Sequence, residues 1–466
     1  MKKFIALMTI LSVGLTLVLS GCSIETTNRD SELKSTLEET KSDLNSTFSE
    51  STAKFSMVEE YLISWAKTNS IKVTANSDHY MVLTNSATES GKKADSFGMV
   101  CSVDPDNIKD SKETLAAGMT ALLGPEEHSN LSLIILETNT DNFDGALSIS
   151  SKYLDIDHLV SLDSGSDNDL TTNGAYSFDA TMSGKLKYQS PTYSNAYEIS
   201  LTVSDYKDSY DFDNKYPNAI NVIGNYLASC KSSGKLFQIA SISCKTSASK
   251  TSYSAKAIVV IDDNNVESMQ TKFENSRESI QKKCDKLDID FVYTMDSVSL
   301  PSKVIKDSSS SKIINLIYTI DSGIYYQDEN TGEIISADDI YNISTKDGKF
   351  NLNINARSKT TDSLNELNQA LKTTAGLSDA KYSVSDNYST WQAQKDLASY
   401  FKELLTIDDD SENLTTLETS NLSILSNKNS NLDCIDYKVA DDGEEVAMLN
   451  CVHYMSHLLG DDSSTK

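Results

Sequence analysis

Runs of β-type and helical residues alternate along the chain from residue 55, and this alternation most constrains the fold. β-type runs cover 72–83, 97–103, 131–137 and 158–164, and helical runs cover 111–123 and 144–153. A repeated strand–helix–strand order is typical of a layered α/β domain with a largely parallel sheet. Polar and apolar residues alternate over 169–187, which predicts antiparallel edge strands beside that sheet.

The pattern changes near residue 190, where strands recur in pairs between helices. Strands are predicted over 197–205, 237–243, 255–261 and 291–298, on both sides of the Asp347-Gly348 turn, and over 381–384. Helices are predicted over 218–231, 266–287, 313–319 and 362–373. This order is typical of an α+β domain. From Trp391 the α/β order returns, with helices over 394–405 and 444–459 and strands over 414–419 and 433–439.

The sequence therefore predicts a discontinuous α/β domain, 54–189 and 385–460, interrupted by an α+β lid domain, 190–384. Residues 22–53 are polar with a few apolar residues at partly helical spacing, and are predicted to be a spacer. Residues 461–466 are predicted to be a disordered tail.

The N-terminus resembles the signal peptide of a bacterial lipoprotein. Lys2 and Lys3 precede an apolar run over 4–19, which ends in Leu19-Ser20-Gly21-Cys22. The run is short for a membrane-spanning helix. We expect residues 1–21 to be removed and Cys22 to carry lipid, which anchors the chain on the extracytoplasmic face of a bacterial membrane. An ordinary signal peptide or an uncleaved anchor is the alternative.

The charge of the chain excludes one class of partner. Lysine and arginine number 41 and aspartate and glutamate 68, so the formal net charge is −27. A polyanion repels phosphate backbones, and no nucleic-acid partner is expected.

Six cysteines follow Cys22, and none forms a C-x-x-C pair: Cys101, Cys230, Cys244, Cys284, Cys434 and Cys451. Export permits the sequence-local disulfides Cys230/Cys244 and Cys434/Cys451. Buried free thiols are an equally good alternative in a chain of this size.

Two sequence patterns could bind metal, and both have simpler explanations. His453 and His457 have the i, i+4 spacing of a helical chelate, but helical periodicity places them opposite the apolar stripe of their helix. We predict that they are exposed and without metal. The acidic run from Asp163 to Asp169 lacks EF-hand spacing, so a solvated loop is favoured over a calcium site. No nucleophile elbow, phosphate-binding glycine loop or H-E-x-x-H is present.

Several short stretches occur in an order that resembles one family over about residues 58–459. They are Ala196-Tyr197-Glu198-Ile199, Asn218-Ala219-Ile220, 312–316, Asp321-Ser322-Gly323, Ala356-Arg357-Ser358 and 388–391. In these stretches the chain resembles the aminoacyl-histidine dipeptidases, which are carnosinase-type di-zinc metallopeptidases. The resemblance implies a zinc-exopeptidase-like α/β sandwich interrupted by a lid.

The resemblance also implies a two-zinc site, whose residues this sequence lacks. The family's His-x-Asp motif corresponds to Ser102-Val103-Asp104, its bridging aspartate to Gly118, and its paired glutamates to Asn139-Thr140. Asp163 matches a further ligand, the last histidine aligns with about Ala440, and the lid's Gly-Gly-His-Ser has become residues 208–211. Only the isolated carboxylates Asp104 and Asp163 remain, so we predict no catalytic residue and no bound zinc.

The resemblance leaves two candidates for ligand binding. Arg357 matches a lid arginine that resembles a substrate-carboxylate clamp, and Glu418 lies near a family acidic position. A purely structural role is the alternative for Arg357. We therefore predict a non-catalytic lipoprotein that binds peptides or serves as an interaction surface. Residual one-metal dipeptidase activity and a solute-binding lipoprotein are the alternatives.

Overall fold

The computed structural model describes residues 31–50, 52–138, 143–165, 169–203, 216–244, 253–320, 322–388, 390–404, 417, 420–440 and 443–461. The predicted leader with Cys22 and the tail from 462 lie outside these residues.

The strands are, in chain order, β1 Lys72–Ser77, β2 Tyr80–Asn85, β3 Phe97–Val103, β4 Leu131–Glu137, β5 His158–Gly165, β6 Asp169–Thr171, β7 Tyr176–Lys185, β8 Tyr188–Gln189, β9 Asn195–Val203, β10 Phe237–Cys244, β11 Ser254–Ile261, β12 Phe291–Ser297, β13 Val304–Ile305, β14 Gly323–Gln327, β15 Ile334–Lys346, β16 Lys349–Ser358, β17 Lys381–Tyr388 and β18 Asp433–Ala440. The helices are α1 31–47, α2 Phe55–Thr68, α3 Ile108–Leu123, α4 Asp144–Ser148, α5 Ala219–Ser232, α6 Val266–Leu287, α7 Asp307–Thr319, α8 Thr361–Leu377, α9 Lys395–Leu404, α10 Asn421–Lys428 and α11 Glu444–Asp461.

The first domain is a three-layer sandwich around a 7-stranded sheet of order β1-β2-β4-β3-β5-β18-β6. The central strands β4, β3, β5 and β18 are parallel, and β2 and β6 flank them antiparallel. Side chains from alternate positions of β3 enter opposite helical layers: Met99 and Cys101 pack with α2, α3, α9 and α11, and Val100 packs with α4 and α10. A parallel sheet covered on both faces explains why these strands are almost continuously apolar.

Helix α1 belongs to this core, which differs from the predicted spacer over 22–53. Leu37, Leu44 and Phe48 are buried in the same cluster as α2 and α3. Leu37 and Leu44 are seven residues apart and so lie on one face of the helix. That apolar stripe is covered by the domain itself.

The second domain is a 9-stranded sheet of order β12-β9-β11-β10-β15-β16-β7-β17, with β14 paired to β15. It consists of two βαββαβ units with the same strand order. The first is β9-α5-β10-β11-α6-β12, and the second is β7, α7, β15, β16, α8 and β17, with the first unit inserted after β7. This is the ferredoxin-like arrangement. The units join edge to edge, where Ser243 pairs with Ser344 and Cys244 with Ile343.

Strand β7 lies inside this sheet, between β16 and β17, and is not an edge strand of the first domain. The structure therefore places the boundary between the domains near residue 175 instead of 189. One face of the sheet is apolar and is covered by α5, α6, α7 and α8, in which Ile220, Phe273, Ile317 and Leu367 are buried.

The two connections between the domains pair with each other. The backbone N–H of Gly174 donates to the carbonyl of Trp391, and that of Ala393 donates to the carbonyl of Thr172. The Trp391 side chain is 2% exposed, and its ring leaves no room for a Cβ at Gly174.

All six described cysteines are buried, and none forms a disulfide in the structure. The two sequence-local pairings are therefore not formed. No helix among the described residues is both long and apolar enough to span a bilayer.

Candidate functional site

The carboxyl ends of the parallel strands form the candidate site. In α/β sheets, ligands bind outside these ends because loops of different strands converge there. Ser102 and Asp104 lie at the end of β3, Thr138 follows β4, and Asp163 lies near the end of β5. The lid approaches the same region, since Arg357 of β16 bonds to the carbonyl of Leu417, four residues before α10 begins.

A neutral hydrogen-bond network occupies the ends of β3 and β4. Asn421, the first residue of α10, is 4% exposed. Its side-chain amide donates to Ser102 Oγ at 2.7 Å and to Thr138 Oγ1 at 3.2 Å. Ser102 is the residue predicted to replace the family's first histidine. A carboxamide and two hydroxyls carry no charge and are weak ligands for zinc.

Asp104 shapes the turn between β3 and α3. Its Oδ1 accepts from the backbone N–H of Asp106 at 2.9 Å, and its own N–H donates to Ser111 Oγ at 3.0 Å. An aspartate that bonds to the backbone two residues on is the usual Asx-turn arrangement. Half-buried Asp104 thus holds the start of α3 against the strand end.

Asp163 faces a lysine across the sheet. It lies on β5 directly opposite Lys438 of the parallel strand β18, and both are half-buried. Neighbouring residues in register share one face of a sheet. The predicted last histidine position, Ala440, ends the same strand opposite Gly165. A cationic side chain in register with Asp163 on the next strand disfavours a metal cation there.

Gly118 does not lie at the strand ends, which corrects its assignment to the bridging-aspartate position. It is inside α3, and a Cβ added there would lie 2.7 Å from Cys101 Sγ and 2.8 Å from a Leu133 methyl. The residue faces the sheet, and its lack of a side chain lets helix and sheet approach closely.

The structure buries Arg357, which is 1% exposed, on the face of the lid sheet opposite the lid helices that bury Ala356. Its Nη1 donates to the Leu417 carbonyl at 2.9 Å and its Nε donates to Asn355 Oδ1. Burial raises the pKa of nearby Asp339 to about 7, against the lowering effects of bonds from Asn218 and Ser322 and of the Arg357 charge. The guanidinium therefore bonds to the protein itself and ties the segment before α10 to the lid.

Other candidates lie elsewhere or outside the described residues. On α11, His457 is exposed as predicted and stacks on Tyr400 with ring centroids 5.0 Å apart, whereas His453 is half-buried. Glu418, Asn139-Thr140, 208–211 and the centre of the Asp163–Asp169 run are not among the described residues.

The described side chains at the strand ends do not fit a pair of zinc ions. Within the described part of the chain, no three histidine, cysteine, aspartate or glutamate side chains converge in a way that could hold a metal ion. The sequence did not predict the part played by Asn421, because α10 was not predicted and its partners Ser102 and Thr138 are 319 and 283 residues away.

No protein-family model matches the sequence, and no curated protein matches it either. Among solved structures, aminoacylhistidine dipeptidase from Vibrio alginolyticus superposes with a TM-score of 0.62 at 13% identity, over 92% of this chain and 96% of that one. The aminopeptidase PepT from Bacillus cereus superposes with a TM-score of 0.44 at 11% identity, over 91% of this chain and 98% of that one. The chain therefore has the α/β fold of an aminoacylhistidine dipeptidase, as the sequence predicted.

Proposed function

We propose that this chain is a membrane-anchored, extracytoplasmic lipoprotein that uses a dipeptidase fold to bind peptides without hydrolysing them. The observation that carries the proposal is the network of Asn421 with Ser102 and Thr138 at the carboxyl ends of β3 and β4. Hydrolysis by a metallopeptidase needs a metal-activated water and a general base. Hydroxyl and carboxamide groups can do neither near pH 7.

Lys438 supports the same proposal, because it is the residue of β18 in register with Asp163, so a cationic side chain instead of a carboxylate or histidine stands on the neighbouring strand. Amides, hydroxyls and a lysine can instead bond to the backbone and the carboxylate of a peptide. The membrane anchor rests on Lys2, Lys3 and the Leu19-Ser20-Gly21-Cys22 sequence.

Measurements of zinc content and of dipeptide hydrolysis test whether the chain lacks metallopeptidase activity, as proposed. The purified chain is stripped with a chelator, reloaded with Zn²⁺ and desalted, and zinc is counted per chain while Xaa-His dipeptides are assayed. We expect well under one zinc per chain and no hydrolysis above the background. Two zinc ions per chain together with hydrolysis of the dipeptides would contradict the proposal.

One zinc with slow hydrolysis would instead favour a one-metal peptidase that uses Asp104 and Asp163. The variants Asp104→Asn and Asp163→Asn would then abolish both zinc and activity. Calorimetry with the same dipeptides tests binding. A response to free amino acids but not to peptides would favour a solute-binding lipoprotein.

A further inference from the structure

The uncovered face of the lid sheet is polar from strand to strand. In register across β9, β11, β10, β15, β16 and β7 lie Ser200, Lys256, Ser243, Ser344, Asn351 and Ser183. Residues in register share a face, so these side chains form one continuous row. The adjacent row, which contains Leu201, Ile343 and Leu352, points the other way into the helical layer.

A cavity of about 740 Å³ opens on this polar face where the two βαββαβ units meet. We call it the seam pocket; β9, β11 and β10 of the first unit and β15 of the second line it. Its volume falls in the range of roughly 300–1,000 Å³ that is usual for small-molecule sites. Five aliphatic hydroxyls line it, from Ser200, Thr202, Ser243, Ser254 and Ser344.

The charge of the seam pocket is opposite to that of the whole chain. Lys256 and Lys346 line it, and its described lining includes no carboxylate, in a protein of net charge −27. Lys256 forms an ion pair with Glu198, whose carboxylate lies 3.6 Å from the ammonium, so a bound anion would share this lysine with Glu198. Both lysines are exposed, so an anion could reach them without displacing buried groups.

We propose that the seam pocket binds an anionic sugar, with the two lysines bonding to its phosphate or carboxylate and the serine and threonine hydroxyls bonding to its hydroxyls. Ammonium groups bind such anions as point charges, and hydroxyls both donate and accept. The cavity is far larger than one phosphate ion, and its hydroxyls match a polyol better than the apolar side chains of a peptide. The seam pocket shares no lining residue with the network of Asn421, Ser102 and Thr138, so this inference goes beyond the proposed peptide binding and does not rest on it.

Calorimetry of the full chain at low ionic strength tests the proposal with four probes. Glucose 6-phosphate and glucuronate are the two anionic sugars, one with a phosphate and one with a carboxylate. Glucose has the sugar hydroxyls without the anion, and inorganic phosphate has the anion without the sugar; we call these two the half-probes. We expect a submillimolar Kd for at least one anionic sugar and at least tenfold weaker binding of both half-probes. Added salt should weaken the binding, because the lysines are exposed.

The variant Lys256→Gln/Lys346→Gln should raise the Kd at least tenfold. Lys312→Gln is the matched control, since it removes an exposed lysine that pairs with Asp379 on the helical side of the lid. Ser344→Ala, which keeps the charges, should weaken the sugar several-fold and leave inorganic phosphate unchanged. The proposal is overturned by no binding of either anionic sugar, by equal binding of inorganic phosphate, or by equal effects of the lysine variant and its control.

Discussion

His158 is a partly buried histidine that contacts two carboxylates of the first domain. Its Nδ1 lies 2.7 Å from Asp433 Oδ2 and its Nε2 3.5 Å from Asp95 Oδ2, while the other Asp433 oxygen accepts from the backbone N–H of Gln394. The ring also meets Tyr454 of α11 edge-on. The imidazole thus joins the amino ends of β5 and β18 to the segment before β3.

Protonated His158 should stabilise the fold. Burial lowers its pKa, but the hydrogen bonds and charges of Asp433 and Asp95 outweigh burial and leave the pKa raised above its usual value of about 6.5. A raised folded-state pKa gives stability that is fully present below the unfolded pKa and is lost as pH rises through the folded pKa. We expect the free energy of unfolding to decrease from pH 6 through the folded pKa.

The variant His158→Gln checks this prediction by chemical denaturation across that pH range. Its stability should vary less with pH, so the difference from the wild type should shrink as pH rises. A difference that stays constant with pH would show that the contribution is packing and not charge.

At the scale of elements, a substitution in α1 tests whether residues 31–48 belong to the folded domain. Leu44 is 0% exposed and packs in the main core. Removing a buried leucine side chain costs about 2–5 kcal/mol because it leaves a cavity. We therefore expect Leu44→Ala to lower the free energy of unfolding by that amount, measured with urea.

Leu377→Ala is the control, because that side chain is 85% exposed and its loss should change stability little. Equal stability of the two variants would mean that α1 is a detached spacer, as the composition of this segment first indicated.

The paired connections between the domains give a second prediction at this scale. A Cβ at Gly174 would overlap the indole ring of Trp391, whereas a Cβ at Gly376 of α8 meets nothing within 4 Å. Overpacking costs about 1–3 kcal/mol, while glycine to alanine in an open helix adds up to about 1 kcal/mol. We expect Gly174→Ala to lower the melting temperature and Gly376→Ala to keep or raise it.

Trp391 fluorescence reports the same event, because Gly174→Ala should expose the indole and shift its emission to longer wavelength. The only other tryptophan, Trp65, lies in α2 and provides a constant background. An unshifted emission with unchanged stability would contradict the close contact.

For the whole molecule, the proposed anchor predicts how the protein partitions in cells. Two acyl chains hold a protein on a membrane stably, whereas one chain is marginal. In cells fed labelled palmitate we expect the wild type to incorporate label and to sediment with membranes. Cys22→Ala should take up no label.

Cys434→Ala is the control for that experiment, since Cys434 is buried and cannot be acylated in the folded chain. Label retained by Cys22→Ala would exclude Cys22 as the lipid attachment site.

The local pattern of polar and apolar residues predicted most of the described helices and strands. The predicted bounds of β4 and α6 agree with the structure residue for residue, and those of β3 do as well. The run over 72–83 is a hairpin of β1 and β2 rather than one strand, because a tight turn at Asp78-His79 lies within an otherwise β-type sequence. Helix α10 was not predicted, since its eight residues are too few to show a helical period.

The sequence by itself determined the α/β and α+β regions, the apolar stripes and the scarcity of histidine, because these depend on residue types and short-range periodicity. Only the tertiary structure decided that β7 joins the lid, that β10 meets β15 to form the seam pocket, that Gly118 faces Cys101, and that Asn421 bonds to Ser102. Each of these contacts joins residues far apart in the chain or depends on how helices pack on a sheet. Periodicity carries no information about such partners, which are selected by the burial of all the apolar faces together.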